Sequence, residues 1–143
     1  MSTRKPNNNR NGESQVEGIN ILAIIVAAAS AFLLGGLWYG PLFLKVWQTE
    51  NGGPVTAGHP VKVFGGAFVL SLVAAAVFAA FLGPDPALPF ATGVGFLAGL
   101  CWVASSFGIN YLFAQRSFKL WLVDGGYHTL QFTLYGFVLG VWP

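Results

Sequence analysis

Four stretches of this sequence, Ile19 to Phe43, Lys62 to Gly83, Leu88 to Phe113 and Phe118 to Trp142, each run for more than twenty residues with at most two Asp, Glu, Lys or Arg. About 20 predominantly apolar residues, rising 1.5 Å each, cover the roughly 30 Å hydrocarbon core of a bilayer. Irregular backbone or an open sheet edge in that core leaves N–H and C=O groups unsatisfied, so runs of this kind are predicted to be helices. The expected architecture is all-α: an integral membrane four-helix bundle built from two helical hairpins, with residues 19–143 as its four-span domain.

Composition agrees. The chain is 55% hydrophobic and 8% charged, against about 25% charged in soluble domains. Seven Lys and Arg against five Asp and Glu leave a net charge of +2, far short of the basic footprint of a nucleic-acid binder, so no nucleic acid is expected as a partner. A single cysteine, Cys101, rules out an intrachain disulfide framework and a multi-cysteine metal site. The first 18 residues, MSTRKPNNNRNGESQVEG, contain Pro, Gly, three successive Asn and no aromatic residue. Such a composition buries too little surface to offset its ordering entropy, and a disordered polar tail is expected. The following apolar run continues past the small residues AAASA into FLLGGLWYG, which marks an uncleaved span rather than a signal peptide.

The connections are read from their breakers. KVWQTENGGPVTAGHPVK and GPDPALP are predicted loops, and Pro41 is expected to bend or end the first helix. AQRSFK is short and basic, which predicts an antiparallel hairpin with Ser117 as N-cap. Trp38, Tyr39, Trp121, Arg116 and Lys119 fall near span ends, where aromatic and basic side chains meet the membrane interface. Lys45, Lys62, Arg116 and Lys119 on one side outnumber Arg4, Lys5 and Arg10 on the other, favouring external termini and cytoplasmic basic loops. Small residues recur at a spacing of four: Ala67, Ser71, Ala75 and Ala79, then Gly36 and Gly40, Gly95 and Gly99, and Gly136 and Gly140. In lipid, such positions let helix backbones approach.

The last run is the least uniform. Asp124, His128, Gln131 and Tyr135 are spaced four, three and four apart and share one helical face. His128 falls roughly 15 Å along the helix from Phe118, near mid-membrane. Ionisable groups at that depth face a bundle interior or a wet cavity. Ser105, Ser106 and Asn110 of the third run, with Trp38 or Tyr39 of the first, are the expected partners. Two readings stay open: Asp124 and His128 act as a titratable pair in a binding or proton site, or the stripe only fixes helix register, with Asp124 meeting Lys119 or Arg116 or capping a helix that begins at Gly125. Ser105 or Ser106 with His128 and Asp124 is the sole hydrolase-like set, and it lacks a nucleophile-elbow motif, so the chain is expected not to be an enzyme. His128 is the only histidine inside a span, which excludes a two-histidine haem site within one chain. The cofactor, if any, is left unknown.

GLWYGPLFLKVW (Gly36 to Trp47) and FGINYLFAQRSFKLWLVDGGYHTLQF (Phe107 to Phe132) carry a resemblance. They resemble domain-of-unknown-function family 1761, small bacterial four-span membrane proteins. The resemblance implies four membrane helices, a bacterial inner-membrane location and no established biochemistry. It points to Trp38, Tyr39, Gly40 and Pro41, then Arg116, Lys119, Trp121, Tyr127 and His128. Two functions are expected from different classes. In one, a small polytopic membrane protein, as a homo-oligomer in the lipid bilayer, uses the stripe of Asp124, His128, Gln131 and Tyr135, with Tyr127 and Asn110, to bind or pass a proton, ion or small polar molecule. In the other, the chain is an accessory subunit packed against partner membrane subunits in a respiratory or photosynthetic type of complex.

Overall fold

The computed structural model describes residues 18–54 and 58–142. The tail expected at 1–18 lies, through residue 17, outside the described residues. Among the described residues there are five helices and no strand: α1 (Ile21–Leu42), α2 (Leu44–Glu50), α3 (Val61–Leu82), α4 (Leu88–Phe113) and α5 (Phe118–Val141). Asn20 starts α1, its side chain accepting from Ala23 N–H, and Ser117 starts α5 in the same way through Leu120 N–H at 3.1 Å. Helix α5 therefore begins a full turn and more before Asp124, and the expectation of a cap at Gly125 is corrected.

Helices α1, α3 and α4 are each long and apolar enough to cross a membrane, and less than a third of each apolar stretch is buried by the rest of the chain. Leu33, Leu70, Leu112 and Phe113 are among the outward-facing side chains, each more than 70% exposed. Apolar surface of this extent costs about 25 cal/mol per Å² in water and nothing comparable in lipid. Helix α5 has the length, at 24 residues, but Asp124, His128, Thr129, Gln131 and Thr133 dilute its apolar run. It is the helix the others surround, packing on all four of them.

One local feature follows expectation and one departs from it. Pro41 bends the end of α1: Gly40 leaves helical geometry (φ −96°, ψ −109°), and the kinked last turn over Trp38–Leu42 is a π segment, with Phe43 N–H bonding Trp38 C=O at 2.9 Å. Proline offers no N–H to the preceding turn and its ring crowds that carbonyl, and one extra residue per turn relieves both. The following segment, expected as loop, instead forms the short α2: LKVWQTE contains no breaker, and the helix stops at the pair Gly52 and Gly53, where φ is positive.

Glycine sets the spacing between α4 and α5. A Cβ on Gly99 would lie 2.6 Å from Thr129 Cα, and one on Gly136 would overlap the Ala91 carbonyl. Gly95 and Gly140 meet the facing helix in the same manner, against Phe132 and Leu88. The pairs at 95/99 and 136/140 thus lie on one α4–α5 interface within the chain, each set against the backbone of the other helix. On the other side, Ala27, Ala28 and Ala31 of α1 meet Ala75 and Ala79 of α3 in one core with Phe78, Tyr135 and Leu139. Gly36, by contrast, has nothing within 4 Å of where its Cβ would stand. Gly136→Val should therefore cost at least about 1–3 kcal/mol through overpacking, while Gly36→Ala should stabilise by about 0.5–1 kcal/mol through helix propensity. Unfolding of both variants in detergent by denaturant titration checks the opposite signs.

Candidate functional site

The polar stripe is turned inward. Tyr135 is fully buried, Asp124 and Gln131 are each 7% exposed, and His128 is half-buried. The four side chains do not form one network. They divide into two, separated along α5 by about one turn.

The first surrounds Asp124, about 9 Å along α5 from Phe118. Tyr39 Oη donates to Oδ1 at 2.8 Å and Tyr111 Oη donates to Oδ2 at 2.6 Å. Both carboxylate oxygens are thus held by phenols of α1 and α4, rather than by Lys119 or Arg116. The indoles beside them tie side chain to backbone across helices: Trp38 Nε1 donates to Val123 C=O at 2.9 Å, and Trp121 Nε1 donates to Ala104 C=O at 2.7 Å. Both acceptor and donor helices depart from regular α geometry here, since Trp38 and Ala104 each sit in a π segment. Such segments recur where helices must re-aim side chains. Arg116 and Lys119 remain exposed at the hairpin end.

The second network runs deeper, from His128 to α3. His128 Nδ1 lies 2.7 Å from Gln131 Oε1, Gln131 Nε2 donates to Tyr135 Oη at 2.6 Å, and Tyr135 Oη meets Ser71 Oγ at 2.6 Å. Ser71 Oγ reaches the Ala28 carbonyl of α1 at 3.5 Å, and Tyr135 Oη reaches the Ser71 carbonyl at 3.3 Å. The imidazole is packed between Phe107, with ring centroids 4.8 Å apart, and Tyr127 at 5.0 Å. Tyr127 itself donates to Ala31 C=O at 3.2 Å. His128 hydrogen-bonds Gln131, not Asp124, so the two ionisable groups belong to different networks.

A cavity of about 830 Å³ opens beside the second network. His128, Gln131, Ser71, Tyr39 and Tyr127 supply its polar atoms, and Phe64, Leu70 and Phe132 are among its apolar walls. Volume and lining both fall in the range of small-molecule sites, mostly apolar with a few placed polar groups. Phe132 forms its floor, held edge-on by Phe78 at 5.6 Å, and below lies the close-packed alanine core. Helix α3 leans on α1 and only lightly on α5, so the seam between α3 and α4 stays open beyond the edge contact of Phe81 with Trp102 at 6.0 Å.

Not every sequence-predicted residue is gathered here. Asn110 is exposed on α4, away from the stripe. Ser105 and Ser106 are exposed too and bond carbonyls of their own helix, Leu100 and Trp102. The expected contribution of these three to the buried network is corrected: the α4 hydroxyl that reaches the stripe is Tyr111. Ser71 and Phe107 were also not anticipated as site residues. Ser71 could have been found as the one polar side chain between Val63 and Leu82; Phe107 carries no distinguishing signal. Among the described residues no group of three or more His, Cys, Asp or Glu is placed to hold a metal ion.

Three helices long and apolar enough to cross a membrane, wrapped around a fourth whose polar edge faces inward, make this an all-helical protein of a kind suited to a membrane. The family model described as protein of unknown function, DUF1761, matches residues 22–140, and the chain belongs to that family. No curated protein and no solved structure matches it.

Removing either phenol hydroxyl leaves one oxygen of a buried acid without its donor, at about 1.5–3 kcal/mol for a hydrogen bond to a charged group. Tyr39→Phe and Tyr111→Phe should each destabilise by that amount, and should become nearly neutral in an Asp124→Leu background. A double-mutant cycle in detergent, read by thermal unfolding, should return a coupling of about 1–3 kcal/mol for each pair.

Proposed function

We propose that this protein is a four-span integral protein of the bacterial cytoplasmic membrane that binds a small molecule in the cavity beside His128, Gln131 and Ser71. The observation that carries this reading is the combination of an 830 Å³ chamber, a polar stripe along one wall and an opening between α3 and α4 that would face the acyl chains. Helix α5, enclosed by the other helices, spans with them: its polar edge is covered by protein, so its remaining surface of Leu122, Leu130 and Phe137 can meet lipid. The Asp124 cluster is the brace that holds α1, α4 and α5 around the chamber.

Binding is favoured over passage because the chamber is shut on one side. Phe132, Phe78 and the alanine core lie between it and the end of the bundle that holds Ile21 and Val141, and a proton or ion would need a continuous polar path there. Proteoliposomes carrying wild type or His128→Ala should accordingly show the same background proton flux. A wild-type flux abolished by His128→Ala would restore the transport reading. Gly36→Leu places a side chain in the chamber without a backbone clash, since its Cβ position is open. Mass spectrometry of solvent extracts should find a stoichiometric compound with wild type that falls at least about tenfold with this variant, the equivalent of about 1.4 kcal/mol. Equal extracts from both would contradict the proposal.

A further inference from the structure

We infer that the occupant of this chamber is a membrane-soluble molecule with a neutral hydroxyl head, which donates its hydrogen bond to Nε2 of His128; the inference rests on the binding reading above. It follows from counting donors and acceptors. At the far end of the deep network stand two backbone carbonyls, Ala28 and Ser71, which can only accept. The Ser71 and Tyr135 hydroxyls spend their protons on each other or on these carbonyls, and Gln131 Nε2 donates to Tyr135. That leaves Gln131 Oε1 as an acceptor facing the imidazole, so the neutral ring holds its proton on Nδ1 and a lone pair on Nε2.

No protein group among the described residues hydrogen-bonds Nε2, and it is not among the buried side-chain atoms lacking a partner, a set in which only Thr92 Oγ1 appears. The imidazole also lines the chamber. The other polar atoms there have each committed a proton elsewhere: Tyr39 Oη to Asp124, Tyr127 Oη to Ala31, and Gln131 Nε2 one of its two to Tyr135. The chamber thus offers the Nε2 lone pair as its open acceptor and no fixed cation. It suits a head that donates: one that only accepts leaves Nε2 unpaired, and an anion finds no positive charge to offset its desolvation. The apolar walls, Phe64, Leu70, Val103 and Phe132, fit the body of a lipophile. The open seam between α3 and α4 lets such a molecule arrive from the bilayer without crossing water.

The test uses the full chain in phosphatidylcholine nanodiscs, with tritiated para-hexylphenol as probe and its methyl ether, para-hexylanisole, as competitor, corrected against empty discs. The two share shape and apolar area and differ in the one donor. Wild type should prefer the phenol about threefold to tenfold, the yield of one net hydrogen bond. His128→Phe keeps an aromatic ring between Phe107 and Tyr127 and should erase the preference while retaining binding. Gly36→Leu should remove both ligands. If phenol and ether bind wild type equally, yet both are lost in Gly36→Leu, the hydroxyl contact is refuted and the chamber stands. If neither ligand distinguishes Gly36→Leu from wild type, the chamber reading fails with it. A preference that persists in His128→Phe overturns the assignment of Nε2.

Discussion

The inward turn of the polar edge of α5 governs the arrangement of the helices around it. A carboxylic acid, an imidazole and an amide on one face would each cost several kcal/mol against acyl chains. The chain meets this by making α5 the axis of the bundle and covering its polar face from two sides. Helix α4 supplies Tyr111 and close glycine contacts, while α1 and α3 supply Tyr39, Trp38 and Ser71. Close approach and polar satisfaction depend on one another. Gly95, Gly99 and Gly136 bring α4 near enough for Tyr111 and Trp121 to reach across the hairpin, and those bonds in turn fix its register.

The same constraint accounts for two of the three π segments among the described residues. A regular α-helix advances 100° per residue, and partners placed by that rule alone do not all point at a single neighbouring helix. An extra residue in the turn at Trp38–Leu42 sets both Trp38 and Tyr39 against α5, and the segment ending at Ala104 offers its last carbonyl to Trp121. Above Phe132 the helices no longer close on one another. The chamber forms where α3, anchored to α1 by alanine contacts, diverges from α4.

Much of this was legible in the sequence. Run length and charge content specify membrane-length helices, the four-three-four spacing places Asp124, His128, Gln131 and Tyr135 on one face, and Ser117 announces the start of α5. Trp38 and Tyr39 were recognisable as partners because they are polar-tipped aromatics at a span end. Pairing across helices was not legible in the same way. Whether Asp124 meets His128, Lys119 or two tyrosines depends on relative rotation and depth of α1, α4 and α5, which no single helix encodes. Asn110 and Tyr111 are adjacent in sequence and roughly 100° apart on the helix; packing alone decides that the tyrosine faces in and the amide out. The short α2 was not legible, because seven residues without a span-length apolar run do not stand out beside the Gly and Pro breakers that follow them.

The account stands on α5 crossing the bilayer with its hydrophilic edge against protein. Site-directed spin labelling tests this most directly, with single cysteines placed in turn from Leu122 to Phe137 in a Cys101→Ser background and collision rates with oxygen and a nickel chelate measured in liposomes. The account predicts an oxygen accessibility that rises and falls with helical period, highest at Leu122, Leu130 and Phe137 and lowest at Thr129 and Gly136, with a depth profile that passes through the membrane centre. Highest oxygen accessibility along the face of Asp124, Gln131 and Tyr135, or a constant shallow depth along the whole segment, would contradict it.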